Sequence, residues 1–210
     1  IEIKQFLSKN KTEWIQFQKD GVIRGIKNRD GWDKSWYQFM NKPIIENSYK
    51  STQQPELNHF FCLPKHFKQE LFLYPYHFQK AGESFAWKYL QSFCKERGKY
   101  YSKHISKPTE SRMSCGRLSP YLAWGNISIR QAVQFIKTHP NYSTNKRSFN
   151  GLLTRLKWHC HFIQKFENEC TYETQCVNKG YETMPYESNP KHIEAWKIGK
   201  TGWPLVDACM

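Results

Sequence analysis

A chain of 210 residues with 32 Lys+Arg against 18 Asp+Glu carries a net charge of +14, and 16% of its residues are aromatic. That size allows one domain or parts of two, and that charge favours polyanionic partners, on whose bases interleaved aromatics can stack. The seven cysteines (Cys62, Cys94, Cys115, Cys160, Cys170, Cys176, Cys209) are odd in number and irregular in spacing, which argues against a secreted disulfide framework.

The chain opens in helical spacing, with Ile1, Ile3, Phe6 and Leu7 on one face. Its opening, IEIKQFLSKNK, lacks the apolar core of a signal peptide, and no apolar run approaches the ~18 residues of a spanning helix. A reduced, cytoplasmic protein with no membrane partner is expected. Residues 12–18, TEWIQFQ, alternate apolar and polar side chains and predict a strand, followed by a turn at Asp20-Gly21. Ile26, Trp32, Trp36 and Phe39 support helix between Ile23 and Met40, interrupted near Asp30-Gly31. Helix, strand and helix together read as the tail of an α/β domain over residues 1–41.

Residues 42–80 carry Pro43, Pro55, Pro64 and Pro75, which suppress helix and favour extended backbone. Phe60, Phe61, Leu71, Phe72, Leu73, Tyr74 and Phe78 are nevertheless too apolar for free disorder. A connector laid over a globular domain is expected. Four helices follow in residues 81–210. One buries Phe85, Tyr89, Leu90 and Phe93. The second is Ile129–Ile136, and the longest runs from Phe149 to Phe166. The fourth starts at Ser188-Asn189-Pro190, runs through Trp196 and stops at Gly199. Helices without intervening strands indicate an all-α domain. The chain both starts and stops inside helical patterns, so a piece of a longer protein is expected.

Two segments bear chemistry. In SRMSCGRLSPYLAWG (residues 111–125), Ser114, Cys115 and Gly116 leave backbone N–H groups accessible and Arg117 adds a fixed charge. Ser119-Pro120 reads as N-cap and first helical residue. Such a junction suits a phosphate group, while spacing alone also allows an ordinary capped helix start. In RLKWHCHF (residues 155–162), Trp158 is either a core residue or a stacking platform for a base. His159-Cys160-His161 invites a metal together with Cys170 and Cys176, but adjacent helical residues point about 100° apart and standard zinc spacings are missing. No metal site is expected.

RLSPYLAWG, followed by Ser128 and Arg130-Gln131, resembles the flavin-binding loop of the photolyase/cryptochrome family, T-S-x-L-S-P-Y-L-x-x-G-x-x-S-x-R. The block from Ser188, SNPKHIEAWKIGKTGWPLVDACM, is similar to the family's N-P-x-x-x-x-A-W-x-x-G-x-T-G-x-P-x-V-D-A-x-M. DGVIRGIKNRDGWDKSWYQFM is similar to the end of its N-terminal α/β domain. The implied fold is mainly α: the N-terminal half of a helical FAD-binding domain, preceded by the tail of an α/β antenna domain and a long irregular linker.

The implied activity is blue-light-driven repair, with an electron passing from reduced FAD to a cyclobutane pyrimidine dimer in single- or double-stranded DNA. The alternative is a cryptochrome-type photoreceptor without repair. A monomer is expected, with a second, antenna chromophore in the upstream domain. Carried over residue by residue, the resemblance makes Tyr101 a flavin contact and Cys115, Gly116, Arg117, Leu118 and Ser119 the flavin phosphate loop. Cys115-Gly116 replaces the usual Thr-Ser and removes two hydroxyls, and Ile105 replaces a frequent arginine. Trp158 matches the tryptophan that stacks on the flipped dimer, with Arg155, His159 and Phe162 beside it on the DNA side. Arg155 stands where the family has glutamate and His159 where it has arginine, reversing the hydrogen-bonding role at the first position. Tyr186 takes the place of the outermost electron-transfer tryptophan. It is either the end of a hole-transfer chain or a surface aromatic.

Overall fold

The computed structural model describes residues 2–15, 17–46, 63–73 and 75–210. Among the described residues all regular elements are helical, and none is long and apolar enough to cross a membrane. The α-helices are α1 (Glu2–Lys9), α2 (Trp32–Met40), α3 (Lys65–Phe72), α4 (Glu83–Lys95), α5 (Tyr101–His104), α6 (Pro108–Ser114), α7 (Ser119–Ala123), α8 (Ile129–Thr138), α9 (Lys146–Asn168), α10 (Pro190–Lys197) and α11 (Pro204–Asp207). Residues 1–168 form one compact unit and residues 169–210 a second.

The core of the first unit follows from helical periodicity. Along α9, Phe149, Leu152, Leu156, Cys160 and Gln164 recur every three or four residues and make one buried stripe. Ala86, Leu90, Phe93 and Cys94 of α4 pack into the same core, as do Ile129, Ala132, Val133 and Ile136 of α8. Trp32, Trp36, Phe39 and Met40 of α2 complete it. α8 starts at a capping box, in which Gln131 N donates to Ser128 Oγ at 3.1 Å and Ser128 N donates to Gln131 Oε1 at 2.8 Å. Ser148, buried on α9, donates to Lys99 O at 2.9 Å and accepts from Ser102 N at 3.2 Å. This hydroxyl fixes the start of α5 against α9.

Several expectations are corrected. Residues 12–15 and 17–18 are irregular rather than a strand, and Trp14, Ile15 and Phe17 are exposed. Alternation shapes a strand only where a neighbouring strand pairs with it, and none is present among the described residues. Residues 22–31 are turns rather than helix, and α2 begins only at Trp32, after the left-handed Gly31. The connector carries α3, which starts directly after Pro64, where a missing N–H costs the helix nothing. Pro55, Phe60, Phe61 and Tyr74 lie outside the described residues. The short α5, α6 and α7 span too few turns to show a period.

The segment before α2 is held by side-chain amides of α9. Gln164 is fully buried; its Oε1 accepts from Ile23 N at 2.6 Å and its Nε2 donates to Ile23 O at 2.9 Å. One amide thus pairs with both backbone polar groups of a single residue, as a neighbouring strand would. Asn168 donates to Ile26 O in the next turn.

In the second unit, Asn189 Oδ1 accepts from Lys191 N at 3.0 Å and caps α10. The helix ends in a Schellman motif: Lys200 N donates to Ala195 O and Gly199 N to Trp196 O, with Gly199 at φ +63°. The Asp207 carboxylate then accepts from Thr201 N (2.8 Å), Thr201 Oγ1 (2.6 Å) and Gly202 N (3.1 Å). These hydrogen bonds, Thr201's first, hold the Asp207 carboxyl below its ordinary value.

Two measurements follow. Gln164→Ala strands the backbone N–H and C=O of Ile23 and is expected to lower stability by about 1–3 kcal/mol, read as a lower urea midpoint at unchanged slope. An unchanged midpoint would show that the clasp contributes nothing. A depressed carboxyl stabilises at pH above the unfolded value of ~3.9 and loses its effect as pH falls through the lower folded value. Amide-exchange protection of Thr201 and Gly202 should therefore persist at neutral pH, collapse below about pH 4, and be weak at every pH in Asp207→Asn.

Candidate functional site

The loop between α6 and α7 is shaped by what happens to its carbonyls. Arg97, just after α4, donates from Nη1 to Cys115 O (2.7 Å) and Met113 O (3.3 Å), from Nη2 to Tyr89 O (3.0 Å), and from Nε to Ser92 Oγ (2.9 Å). Burial draws its pKa below the ordinary arginine value, yet a guanidinium keeps its charge in proteins. Gln79 Nε2 donates to Arg117 O at 2.9 Å. Arg117 folds back, donating to Arg112 O from Nη2 (2.7 Å) and Nε (3.2 Å).

With the carbonyls engaged, the N–H groups are left over. Arg117 is left-handed at φ +57° and Leu118 lies in the right-handed region at φ −94°, ψ −15°. Consecutive residues of opposite hand make a concavity of N–H groups, a nest suited to an anion. Among the described residues, none accepts from the backbone N–H of Gly116, Arg117, Leu118 or Ser119. The loop borders an open groove of about 620 Å³ with His77, Arg112 and Arg117 on its walls. Ser119 is the first helical residue of α7 rather than its N-cap; Leu118 stands at the cap position and no side chain caps the helix. Pro120 fits either of the first two helical positions, which is why the spacing placed the boundary one residue late.

The loop lies against α9. A Cβ on Gly116 would come within 3.0 Å of Leu152 Cδ1, and one helical position before Leu152, Gly151 admits the Tyr101 ring, which a Cβ there would meet at 3.1 Å. Tyr101 is buried, its ring near-perpendicular to Phe93 with centroids 5.7 Å apart. Tyr100 instead faces outward between Lys99 and Lys103. Burial raises the Tyr101 phenol's pKa, and the nearby Arg155 charge opposes that rise.

Arg155, Trp158, His159 and Phe162 share one face of α9, within an arc of about 100° that avoids the buried stripe. Arg155 Cζ sits 4.3 Å from the Trp158 ring centroid. Trp158 and Phe162 are 44% and 60% exposed, so Trp158 is a surface ring and not a core residue. Their rings meet edge to face at 6.5 Å. His159 Nδ1 is buried and has no hydrogen-bond partner among the described residues.

The side chains of the His159-Cys160-His161 triplet diverge. Cys160 is in the core, where burial pushes its thiol up to about 12. His161 meets Arg29 Nη1 at 3.2 Å and the edge of Trp32. Its pKa is lowered by burial and by the Arg29 charge. No group of three ligating side chains occurs among the described residues.

The first unit therefore brings together Tyr101, the 115–119 loop, Arg155, Trp158, His159 and Phe162. Tyr186 belongs to the second unit, exposed, with its hydroxyl donating to Tyr181 O at 3.2 Å. Arg97 and Gln79 escape sequence reasoning because their partners are backbone carbonyls, which no motif marks. Gly151 did leave a signal: a glycine inside a long helix costs about 1 kcal/mol relative to alanine, which points to a packing reason.

The family model described as the FAD binding domain of DNA photolyase matches residues 152–210. The deoxyribodipyrimidine photo-lyase of Alkalihalophilus pseudofirmus is 30% identical over 137 residues, 64% of this chain and 27% of that protein. Over these segments the chain is similar to members of the photolyase/cryptochrome family. The all-helical regular structure of the described residues is consistent with a helical FAD-binding domain of that kind. The chain is also similar to the deoxyribodipyrimidine photo-lyase of Escherichia coli (29% over 126 residues, 58% of this chain and 25% of that protein). A cryptochrome DASH of Synechocystis is 32% identical over 97 residues, 45% of this chain and 19% of that protein. The chain spans about a quarter of the length of these photo-lyases.

Arg97→Lys keeps the charge and loses the fork. Amide exchange at Cys115 and Leu122, whose N–H groups donate to Ser111 O and Leu118 O at the two ends of the loop, is expected to accelerate at least about tenfold, the loss of roughly one net hydrogen bond or more, while α8 keeps its protection. Unchanged exchange at both would show that the shape of the loop is set elsewhere.

Proposed function

We propose that this chain supplies the phosphate side of a flavin site and the base-stacking helix of a blue-light-driven deoxyribodipyrimidine photo-lyase. The observation that carries the reading is the row of unpartnered N–H groups at 116–119 set against the same helix that presents Trp158. These residues fit FAD: the nest takes phosphate oxygens through backbone donors alone, which offsets the missing hydroxyls at Cys115-Gly116. When bound, reduced FAD supplies the light-driven electron that splits a cyclobutane pyrimidine dimer.

The chain's own residues then have distinct tasks. Gly116, Arg117, Leu118 and Ser119 hold the cofactor's phosphates, with Arg97 and Gln79 keeping the loop in shape. Tyr101 packs beside the cofactor. Trp158 and Phe162 stack a base turned out of DNA, worth about 1–3 kcal/mol per base, and His159 donates to the nucleic acid. The +14 charge draws DNA to the protein by counterion release. Tyr186, exposed to solvent, ends a hole-transfer path. Residues 1–41 belong with an antenna domain and its second chromophore, 42–80 with the linker, and 81–210 with the FAD-binding domain.

One feature favours a second reading, a cryptochrome-type photoreceptor without repair: Arg155, which only donates, stands beside Trp158 at the position where the family's usual carboxylate accepts from a dimer. The intact protein should purify yellow with bound FAD, and blue light but not darkness should repair dimers in an oligonucleotide. A colourless protein that FAD cannot reconstitute overturns both readings; a yellow protein without repair selects the photoreceptor. Trp158→Ala should weaken binding of dimer-containing DNA by roughly tenfold or more at unchanged FAD content.

A further inference from the structure

Two cations on α9 stand in opposite situations. Lys157 Nζ is 2.7 Å from the Asp33 carboxylate, whereas Arg155 has no carboxylate within ion-pair distance among the described residues. Arg155 is exposed and held over the Trp158 ring at 4.3 Å. Stacking on the indole and a contact with the Tyr101 hydroxyl fix the guanidinium, and the N–H groups turned away from Tyr101 are left for a ligand. The guanidinium is purely donating, with five N–H groups in a rigid fork and no acceptor. The remainder of the face (Gly151, His159, Phe162 and Phe166) offers no carboxylate or amide. A base arriving on this face therefore meets paired donors beside an aromatic platform.

The four DNA bases answer that demand unequally. Cytosine places O2 and N3 side by side as acceptors, and guanine does so with O6 and N7. On thymine an N–H separates O4 from O2, and on adenine each ring acceptor on an accessible edge neighbours the amino group. A fork of two parallel donors is satisfied by the first pair of bases and meets a donor on the second.

We infer that Arg155 and Trp158 act together as a reader that selects bases with two adjacent acceptors on one edge, cytosine and guanine, over thymine and adenine. Among pyrimidine dimers it accordingly favours those that contain cytosine. The inference rests on the reading of Trp158 as the ring a splayed base lies against, and the net charge of +14 supplies the attraction that brings single-stranded DNA to it. Arg155 is here a specificity-determining residue, and its role requires neither light nor an electron.

The test is equilibrium binding of fluorescent dodecamers of deoxycytidine and of deoxythymidine to the intact protein, in the dark at neutral pH, followed by anisotropy. The expected result is a preference for the deoxycytidine strand of roughly tenfold. Arg155→Lys keeps the charge but not the fork; it should retain most of the affinity for deoxythymidine and lose the preference. Arg155→Glu, which accepts rather than donates, should abolish or invert the preference. Trp158→Ala should weaken both strands. Equal wild-type affinities with a Trp158→Ala defect overturn the reader and leave the stacking face standing. A preference that survives in Arg155→Lys and Arg155→Glu also overturns it, placing the selectivity elsewhere. No effect of Trp158→Ala on either strand overturns the stacking reading and the reader with it.

Discussion

Each residue of a helix turns the chain by about 100°, so a single long helix can present two unrelated faces, and in the first unit everything depends on how α9 divides them. Phe149, Leu152, Leu156 and Cys160 anchor α4, α8 and α2 in one core. Gly151, Arg155, Trp158, His159 and Phe162 fall on the other side. Packing of the core thereby sets the orientation of the site face, since α9 cannot rotate without unburying its stripe. Tyr101 and the loop are registered against the same helix at Gly151 and Leu152, so stability and site geometry share one scaffold. A side chain on such a scaffold is held more accurately than one on a free loop.

Arg97 solves a problem that the loop creates. A turn with unpaired N–H groups must put its carbonyls somewhere, and a buried carbonyl without a donor is costly. One guanidinium serves Tyr89, Met113 and Cys115 together and is itself satisfied by them. A half-buried cation is costly when isolated, but here its donors meet carbonyl dipoles, and the surplus positive charge lies beneath a loop whose donors already suit an anion.

The legible parts of the chain were those whose cause is local. α8 and α9 are long enough to show their period, Asn189 and Gly199 mark the two ends of α10 through capping chemistry, and the loop at 115–119 stands out by composition. Other features depend on partners that a local window does not contain. Alternation at residues 12–18 looks like a strand until a neighbouring strand is required. Residues 22–31 looked helical from their apolar spacing, yet their backbone is paired to Gln164 and Asn168 more than a hundred positions away. Trp158 is the instructive ambiguity, since its spacing on α9 suits either face and only the position of the buried stripe decides. Arg97 left no trace because it binds carbonyls, which all residues possess.

The clasp between Gln164 and Ile23 joins residues 141 positions apart in the chain. A ribosome adds about 5–20 residues per second, so the segment ahead of α2 emerges roughly 7–28 s before its partner amide exists. Over that interval Trp32, Trp36, Phe39 and Met40 have no core to enter, because α8 and α9 are still to be made. The nascent chain thus carries an apolar, aromatic-rich stretch through that interval. Its closure waits for Gln164, near the end of α9.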